Sequence, residues 1–250
     1  MTDYFAQRAY AVRFGWGPTE AAELASPDGC LVVVDVLSFT TAVSVVTQRG
    51  GRVLPYRWRD ESARAFAVER DAELAVGRRQ ATVESPWSLS PAALRLAPVP
   101  ERLVLPSPNG STISAAAGDG TVVAACLRNA GAVARWIAGQ GFGTPSRPLA
   151  VIASGERWRD GGLRPCLEDL LGAGAVLAAL PGGGFSPEAE LAAGAYSATP
   201  DVVAAVRACG GGVELVSEGF PGDVDVAVEV DVSEVVPVLT DGAFADANAH

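Results

Sequence analysis

An unbroken apolar run that ends in a single acid limits the possible folds of this chain more than any other stretch. Residues 31–34 are four apolar β-formers, and Asp35 follows them directly. Hydroxyl side chains come soon after the acid, at Ser38, Thr40 and Thr41. A strand buried on both faces has this pattern, and open α/β sheets bind ligands at the carboxyl ends of such strands. Asp35 is therefore a candidate metal ligand or catalytic group, with capping of the next helix as the structural alternative.

Strand and helix patterns alternate along the rest of the chain. This alternation predicts an α/β fold, a three-layer α/β/α sandwich with a mixed, largely parallel sheet. Late strands are expected at residues 213–216 and 224–230, where valines are frequent. Residues 1–240 are expected to form a single compact domain, and residues 241–250 a loose C-terminal tail.

The composition excludes several classes of chemistry. The 250 residues carry a formal net charge of −10, which argues against a nucleic-acid partner. All 19 basic residues are Arg, so a Schiff-base lysine and a P-loop lysine are both excluded. The one histidine is the terminal His250, which makes a Ser-His-Asp triad and a His-rich zinc site poor candidates. The chemistry of the chain must therefore rest on Asp, Glu, Ser, Thr, Asn and Arg side chains.

Neither a membrane span nor a secretory signal is visible in the sequence. No charge-free apolar run reaches about 18 residues, and the first residues lack a basic region followed by a long apolar segment. We therefore expect no membrane partner and a cytoplasmic location. The four cysteines are widely separated, which favours reduced, buried thiols over a disulfide or zinc framework.

Polar residues gather at three predicted strand-to-helix corners. The first corner contains Asp35 and the hydroxyls that follow it. The second contains Asn109, Gly110, Ser111 and Thr112. The third contains Ser154, Glu156, Arg157, Arg159, Arg164, Glu168 and Asp169. If the corners converge, the carboxylates favour Mg²⁺, and the guanidiniums and helix N-termini favour phosphate, sulfonate or carboxylate groups. Together they indicate metal-assisted hydrolysis of an anionic phosphoester.

Each corner also has a structural alternative. Asn109-Gly110 is a common turn pair, and Thr112 is a reasonable first residue of a helix. Glu168 and Asp169 both favour a helix N-terminus through the helix dipole. These roles stay open beside the functional ones.

The segments, taken in order, resemble the 2-phosphosulfolactate phosphatase family. The matching segments are Val33-Val34-Asp35-Val36-Leu37-Ser38-Phe39-Thr40-Thr41, Glu84-Ser85-Pro86, Ser107-Pro108-Asn109-Gly110-Ser111-Thr112, Arg128-Asn129-Ala130, Ala153-Ser154-Gly155, Cys166-Leu167-Glu168-Asp169, Gly172-Ala173-Gly174-Ala175, Asp225-Val226-Ala227 and Val235-Val236-Pro237. The resemblance spans nearly the full chain in one consistent order.

The resemblance implies a magnesium-dependent acid phosphatase with an α/β fold. The family removes phosphate from 2-phospho-3-sulfolactate, a step of coenzyme M synthesis. Carried over by position, Asp35 is implied in metal binding or nucleophilic attack. Asn109, Gly110 and Thr112 are implied to line the anion site, and Glu168 and Asp169 to complete it.

Two positions depart from the family pattern. Ser38 stands where the family usually has Arg, and a hydroxyl does not replace a bidentate guanidinium. Pro108 removes one backbone donor from the second corner. These departures are compatible with a different phosphorylated acid as substrate, or with lost activity.

The resulting hypothesis is a Mg²⁺-dependent phosphomonoester hydrolase that acts on a small anionic hydroxy-acid phosphate. Asp35, Glu168 and Asp169 are the expected catalytic residues, and Asp35 and Glu168 the expected metal ligands. The expected substrate-binding residues are Ser38, Thr40, Thr41, Asn109, Gly110, Ser111, Thr112, Arg157 and Arg164, with Arg157 or Arg164 at the acidic tail of the substrate. The alternatives are a non-catalytic anion-binding protein on the same scaffold and a metal-dependent hydrolase of another ester. A homodimer is left open.

Overall fold

The structure is a computed structural model that describes residues 4–249 of the chain. Its strands are β1 (Val12–Trp16), β2 (Cys30–Val34), β3 (Arg52–Tyr56), β4 (Glu73–Leu74), β5 (Arg102–Pro106), β6 (Thr121–Ala125), β7 (Leu149–Ala153), β8 (Glu156–Arg157), β9 (Leu163–Arg164), β10 (Pro237–Thr240) and β11 (Ala243–Asp246). Its α-helices are α1 (Gly17–Leu24), α2 (Phe39–Gln48), α3 (Glu61–Glu69), α4 (Pro91–Leu96), α5 (Gly110–Ser114), α6 (Ala130–Gly139), α7 (Leu167–Ala179), α8 (Pro187–Ser197), α9 (Val202–Ala208), α10 (Gly210–Ser217) and α11 (Pro221–Ala227).

A single large sheet contains nine of the described strands, in the spatial order β1-β7-β2-β6-β10-β11-β3-β5-β4. Strands β1, β7, β2 and β6 run parallel to one another, and β3, β5 and β4 form a second parallel set. The hairpin β10–β11 lies between the two sets and pairs antiparallel with β6 on one side and β3 on the other. Strands β8 and β9 form a separate two-stranded ribbon. The predicted mixed, largely parallel sheet is confirmed.

The central strand β2 is buried on both faces, as its run of apolar residues predicts. Val32 and Val34 belong to one apolar core, which includes residues of α6 and α7. Leu31 and Val33 belong to a second core, with residues of α1 and α2. Helices therefore cover both faces of the sheet, which confirms the three-layer sandwich. Because β2, β6 and β7 are parallel, the loops that follow them leave from one edge of the sheet.

Both predicted late strands are wrong. Residues 213–216 lie in α10, and residues 224–230 begin in α11 and continue into a turn. Pro221 stands in the first turn of α11, where its fixed φ favours a helix and its missing N–H removes no helical hydrogen bond. Leu215 and Val224 pack into the core beside α7. Burial of a helical face therefore outweighs the weak strand preference of valine.

The predicted loose tail is wrong for Ala243–Asp246, which forms β11 inside the large sheet. Phe244 is fully buried, and its ring packs edge-on against Phe39 with 6.3 Å between the ring centroids. The hairpin therefore crosses the domain end that was expected at residue 240. His250 and residues 1–3 lie outside the described part of the chain. Within residues 4–249, no helix combines the length and the apolar character that a membrane span requires.

Candidate active site

The first corner, directly after β2, is ordered by its own threonines. The Asp35 backbone N–H donates to Thr40 Oγ1 at 3.0 Å, and that hydroxyl donates to the Asp35 carbonyl at 2.8 Å. Thr41 Oγ1 donates to the Val36 carbonyl at 2.7 Å. Both threonines are buried. Their hydroxyls hold the loop in shape, so the predicted substrate-binding roles of Thr40 and Thr41 gain no support from this geometry.

Asp35 is a buried carboxylate that faces like charges. Its side chain is directed back toward the start of α2, where Oδ1 accepts a hydrogen bond from the Phe39 backbone N–H at 3.2 Å. The pKa of Asp35 is raised to about 7, chiefly by burial; the Phe39 N–H and the charge of Arg59 oppose the increase, and the negative charges of Glu156 and Glu168 add to it. A carboxyl group that titrates near neutral pH at a strand end is a candidate for metal binding or catalysis.

Asp169 connects two of the corners through the backbone. Its Oδ1 accepts from the Val36 N–H at 2.7 Å, after β2, and its Oδ2 accepts from the Gly155 N–H at 2.8 Å, after β7. Burial raises the pKa of Asp169 well above its usual range, and the charges of Asp35 and Glu168 add to the increase. Because both oxygens already bind backbone donors, Asp169 acts as a positioning residue, and the geometry gives its predicted catalytic role no support.

Glu168, the neighbour of Asp169 in the first turn of α7, is a buried carboxylate that lies against Cys209 and the start of α10. Its Oε2 accepts a hydrogen bond from Cys209 Sγ at 3.0 Å. Burial raises the pKa of the Cys209 thiol to about 12, and the Glu168 carboxylate adds to the increase, so the sulfur stays a protonated donor. At Gly211 an added Cβ would lie 2.2 Å from Glu168 Oε1, so the start of α10 packs directly against the carboxylate. Cys209 stands 40 residues or more after the third corner in sequence, and no motif around it predicted this contact.

The second corner reaches the others through Asn109. Its Nδ2 donates to Glu156 Oε1 at 2.9 Å, which links the turn after β5 to the ribbon after β7. Gly110 lies so close to the Phe39 ring that an added Cβ would be 2.2 Å from the ring atom Cδ1. The Ser111 hydroxyl donates to the Ser107 carbonyl, and the Thr112 hydroxyl donates to the carbonyl of the residue four positions earlier. These two hydroxyls are engaged within the turn and α5, so their predicted substrate contacts gain no support.

The predicted arginines lie at the rim of the site. Arg157 is exposed on the β8–β9 ribbon and donates from Nη1 to the Gly161 carbonyl at 3.2 Å. The Arg164 guanidinium lies over the Trp158 ring, 5.6 Å from its centroid. Arg157 borders a cavity of about 440 Å³, which is also lined by Asn109, Ser154 and Glu156. Ser154 Oγ is buried and has no hydrogen-bond partner within residues 4–249.

Two arginines that sequence analysis did not select approach the first corner. Arg78 Nη2 donates to the buried Ser38 Oγ at 2.6 Å. The positive charge of Arg59 lowers the pKa of Asp35, which places this guanidinium near the carboxylate. Both residues follow strands, β4 and β3, so the rule that polar groups after strands line ligand sites could have identified them. The segments after β3 and β4 contain other exposed charged residues, so the sequence alone did not single out Arg59 and Arg78.

The three corners therefore meet at one region. Glu156 hydrogen-bonds to Asn109 and acts electrostatically on Asp35, and Glu168 acts on Asp35 as well. Within the described residues, no three His, Cys, Asp or Glu side chains form a group that could hold a metal ion by themselves. Mg²⁺ commonly takes only one or two protein carboxylates and completes its shell with water and substrate oxygens. The charge of Glu168 raises the pKa of Asp35, and the charges of both residues raise the pKa of Asp169. The carboxylate oxygens of Asp35 and Glu168 fit such an ion.

Comparison with known proteins identifies the family. A family model described as 2-phosphosulpholactate phosphatase matches residues 18–242. A curated protein of Deinococcus radiodurans, named probable 2-phosphosulfolactate phosphatase, is 28% identical over 234 residues, which cover 89% of this chain and 92% of that protein. Because the family model spans most of the chain, and its matched range contains every corner described above, the chain belongs to the 2-phosphosulfolactate phosphatase family and is a phosphatase.

Proposed function

We propose that this chain is a Mg²⁺-dependent phosphomonoester hydrolase that releases phosphate from a small anionic hydroxy-acid phosphate, with 2-phospho-3-sulfolactate as the first candidate substrate. Family membership supports the reaction class. A role in coenzyme M synthesis, a cytoplasmic location and a homodimer stay predictions.

One observation carries the proposal. Asp35 is 9% exposed, stands at the end of the central parallel strand, and has a pKa raised to about 7 by burial and by the charges of Glu156 and Glu168. A buried acid among like charges is destabilised in its ionised form unless a cation lies nearby. A site that binds a divalent cation together with a phosphoester explains why the fold places the carboxylates here.

Asp35 and Glu168 would hold the metal ion through their carboxylate oxygens. When bound, Mg²⁺ would supply a Lewis acid for the phosphoryl oxygens. The protein's own contribution is to hold the carboxylates in place. Asp169 fixes the loops after β2 and β7, and the Cys209 thiol fixes one oxygen of Glu168.

The proposal is tested by phosphate release from 2-phospho-3-sulfolactate and related phosphorylated hydroxy acids, with Mg²⁺ and with EDTA. We expect turnover that requires the metal and falls by about 100-fold or more in Asp35→Asn, because the variant removes a charged group at the reacting centre. The matched control is Asp119→Asn, since Asp119 is exposed.

Two results would contradict the proposal. Equal turnover in the wild type and in Asp35→Asn would remove Asp35 from the site. Binding of phosphate or sulfonate without turnover on any phosphorylated acid would support the non-catalytic alternative instead.

A further inference from the structure

The Ser38 hydroxyl accepts a hydrogen bond from a guanidinium that lies 40 residues away in sequence. The sequence places a hydroxyl where the resembled family usually has Arg, which suggested a lost anion contact. In the structure, Arg78 Nη2 donates to Ser38 Oγ at 2.6 Å. A positive charge is therefore present at this corner, and it comes from the short 3₁₀ helix Arg78–Gln80 that follows β4.

Arg78 is held in a fixed orientation. Its Nε donates to Asp223 Oδ2 at 2.8 Å, and the Asp223 side chain is only 1% exposed. Asp223 also accepts from the Ser90 hydroxyl and from the Ala92 N–H. The Arg78 side chain is 19% exposed. A guanidinium held in this way loses little further conformational entropy when an anion binds, which favours affinity.

Arg59 lies on the same side of the corner. Its Nε donates to the Pro106 carbonyl at 3.3 Å, at the end of β5. Partial burial and the nearby positive charge of Arg78 lower the pKa of Arg59, while Glu156 and Asp35 raise it. Two guanidiniums thus approach each other at the corner of Asp35, an arrangement that an anion between them would stabilise.

Both guanidiniums line a cavity of about 530 Å³ beside the corner. Apolar side chains form part of its wall: Leu74, Ala75, Val76, Leu89 and Leu105. Three other charged residues also line it, but Asp60 caps α3 through the Ser62 N–H, and Glu61 and Arg64 pair with each other at 3.5 Å with side chains that are mostly exposed. Arg59 and Arg78 are the cavity arginines that approach the first corner, Arg59 through its charge near Asp35 and Arg78 through its hydrogen bond to Ser38.

We propose that Arg59 and Arg78 bind the acidic group of the substrate that is not transferred, a sulfonate or a carboxylate, while the phosphate lies at Asp35. This inference rests on the proposed function. It assigns to these two residues the role that the sequence gave to Arg157 or Arg164. It also makes them determinants of specificity for substrates with more than one acidic group.

The test compares three phosphate esters of secondary alcohols that differ in their acidic groups. 2-Phospho-3-sulfolactate carries both a carboxylate and a sulfonate, and 2-phospholactate carries a carboxylate alone. Glycerol 2-phosphate carries neither group. Arg59→Gln is the leading variant because Arg59 is exposed, and glutamine keeps an N–H donor for the Pro106 carbonyl. Arg78→Gln is the second variant. Arg57→Gln and Arg79→Gln are the matched controls, since both side chains are exposed and lie outside the cavity lining.

We expect each variant to raise KM for 2-phospho-3-sulfolactate by about tenfold to a hundredfold, the size of a lost charge-assisted hydrogen bond. We expect kcat to change little, and the KM for glycerol 2-phosphate to stay within about twofold. If KM for 2-phospholactate also rises in the variants, the carboxylate is the bound group. If KM rises for 2-phospho-3-sulfolactate alone, the sulfonate is the bound group. An equal rise in KM for all three esters, or no rise in KM in either variant, would overturn the inference.

A binding measurement separates this inference from the proposed function. If the wild type releases phosphate from none of the esters, the proposed function fails, and thermal shift with 3-sulfolactate, which has no phosphate, still tests the arginine site. A rise in Tm in the wild type and in Arg57→Gln that is lost in Arg59→Gln supports the site. The same rise in all three proteins would refute it.

Discussion

Asp35 combines deep burial with negatively charged neighbours, and this combination makes its ionisation a property of the whole corner. The pKa near 7 arises first from burial and then from Glu156 and Glu168. Asp169 is also a buried acid with a raised pKa, but its two oxygens bind backbone N–H groups. At the residue scale, hydrogen-bond partners therefore separate an acid that can meet a ligand from one that holds the loops.

The raised pKa of Asp35 predicts a specific dependence of stability on pH. Between about pH 4 and pH 7 the folded chain holds a proton on Asp35 that the unfolded chain has released, so this residue's contribution to stability falls as the pH rises through that window. Asp35→Asn removes the effect. In EDTA, we expect the variant to gain stability over the wild type from pH 5 to pH 8, by on the order of a few kcal/mol.

Thermal denaturation of both proteins at several pH values measures this difference. Asp119→Asn serves as the control, since its carboxylate is exposed and its removal leaves the buried acids unchanged. A constant difference in Tm between Asp35→Asn and the wild type across the range would show that Asp35 ionises at its ordinary pKa.

At the scale of elements, the hairpin β10–β11 joins the two parallel sets of the sheet. In the spatial order of the sheet, β10 and β11 lie between β6 and β3 and link the two sets. Its turn, Asp241-Gly242, has φ values of 53° and 77°. Asp-Gly with positive φ at both residues is typical of a type I′ hairpin turn, so the sequence did contain a signal for this element. The short, Ala-rich second strand concealed it.

Phe244 should contribute strongly to the stability of this hairpin. We expect Phe244→Ala to lower the free energy of unfolding by about 3–5 kcal/mol, because a fully buried ring that packs on Phe39 is replaced by a cavity. Urea denaturation measures the change. The control on the same hairpin is Thr240→Ala, an exposed position where the expected change is within about 0.5 kcal/mol. A loss as small for Phe244→Ala as for Thr240→Ala would mean that β11 is not anchored in the core.

At the scale of the whole molecule, the site depends on loops from both parallel sets. Asp35, Glu156 and Glu168 come from the set that contains β2 and β7, and Arg59, Arg78 and Asn109 follow strands of the other set. The hydrogen bond from Asn109 to Glu156 connects the two. A ligand bound here would therefore stabilise the fold as a unit.

Binding of Mg²⁺ should raise the thermal stability of the wild type in a pH-dependent way. At a metal concentration of 100 times Kd the gain is about 2.7 kcal/mol. We expect the rise in Tm to be larger at pH 8 than at pH 6, because Asp35, with a pKa of about 7, must be ionised to bind the ion. The rise should be absent in Asp35→Asn and retained in Asp119→Asn, and Ca²⁺ and EDTA complete the comparison. An equal rise in Asp35→Asn would place the ion elsewhere.

Several parts of the molecule were predictable from residue pattern alone. The unbroken apolar run of residues 31–34 is long enough to be buried on both faces of a sheet, and Asp35 marks its end, so both features follow from local sequence. The sequence therefore determined β2, the α/β alternation and the position of Asp35 at the carboxyl end of β2. The family resemblance depended on the same ordered segments.

Only the tertiary structure decided which side chains share the site and which are engaged elsewhere. The hydroxyls of Thr40, Thr41 and Ser111 donate to nearby carbonyls, and Asp169 accepts hydrogen bonds from two loops. The sequence does not reveal these contacts, so it does not distinguish these groups from ligand-binding ones. Arg78 reaches Ser38 from 40 residues away. Hydrogen bonding and charge act over a few ångströms, and the distances that matter exist only after the strands have paired.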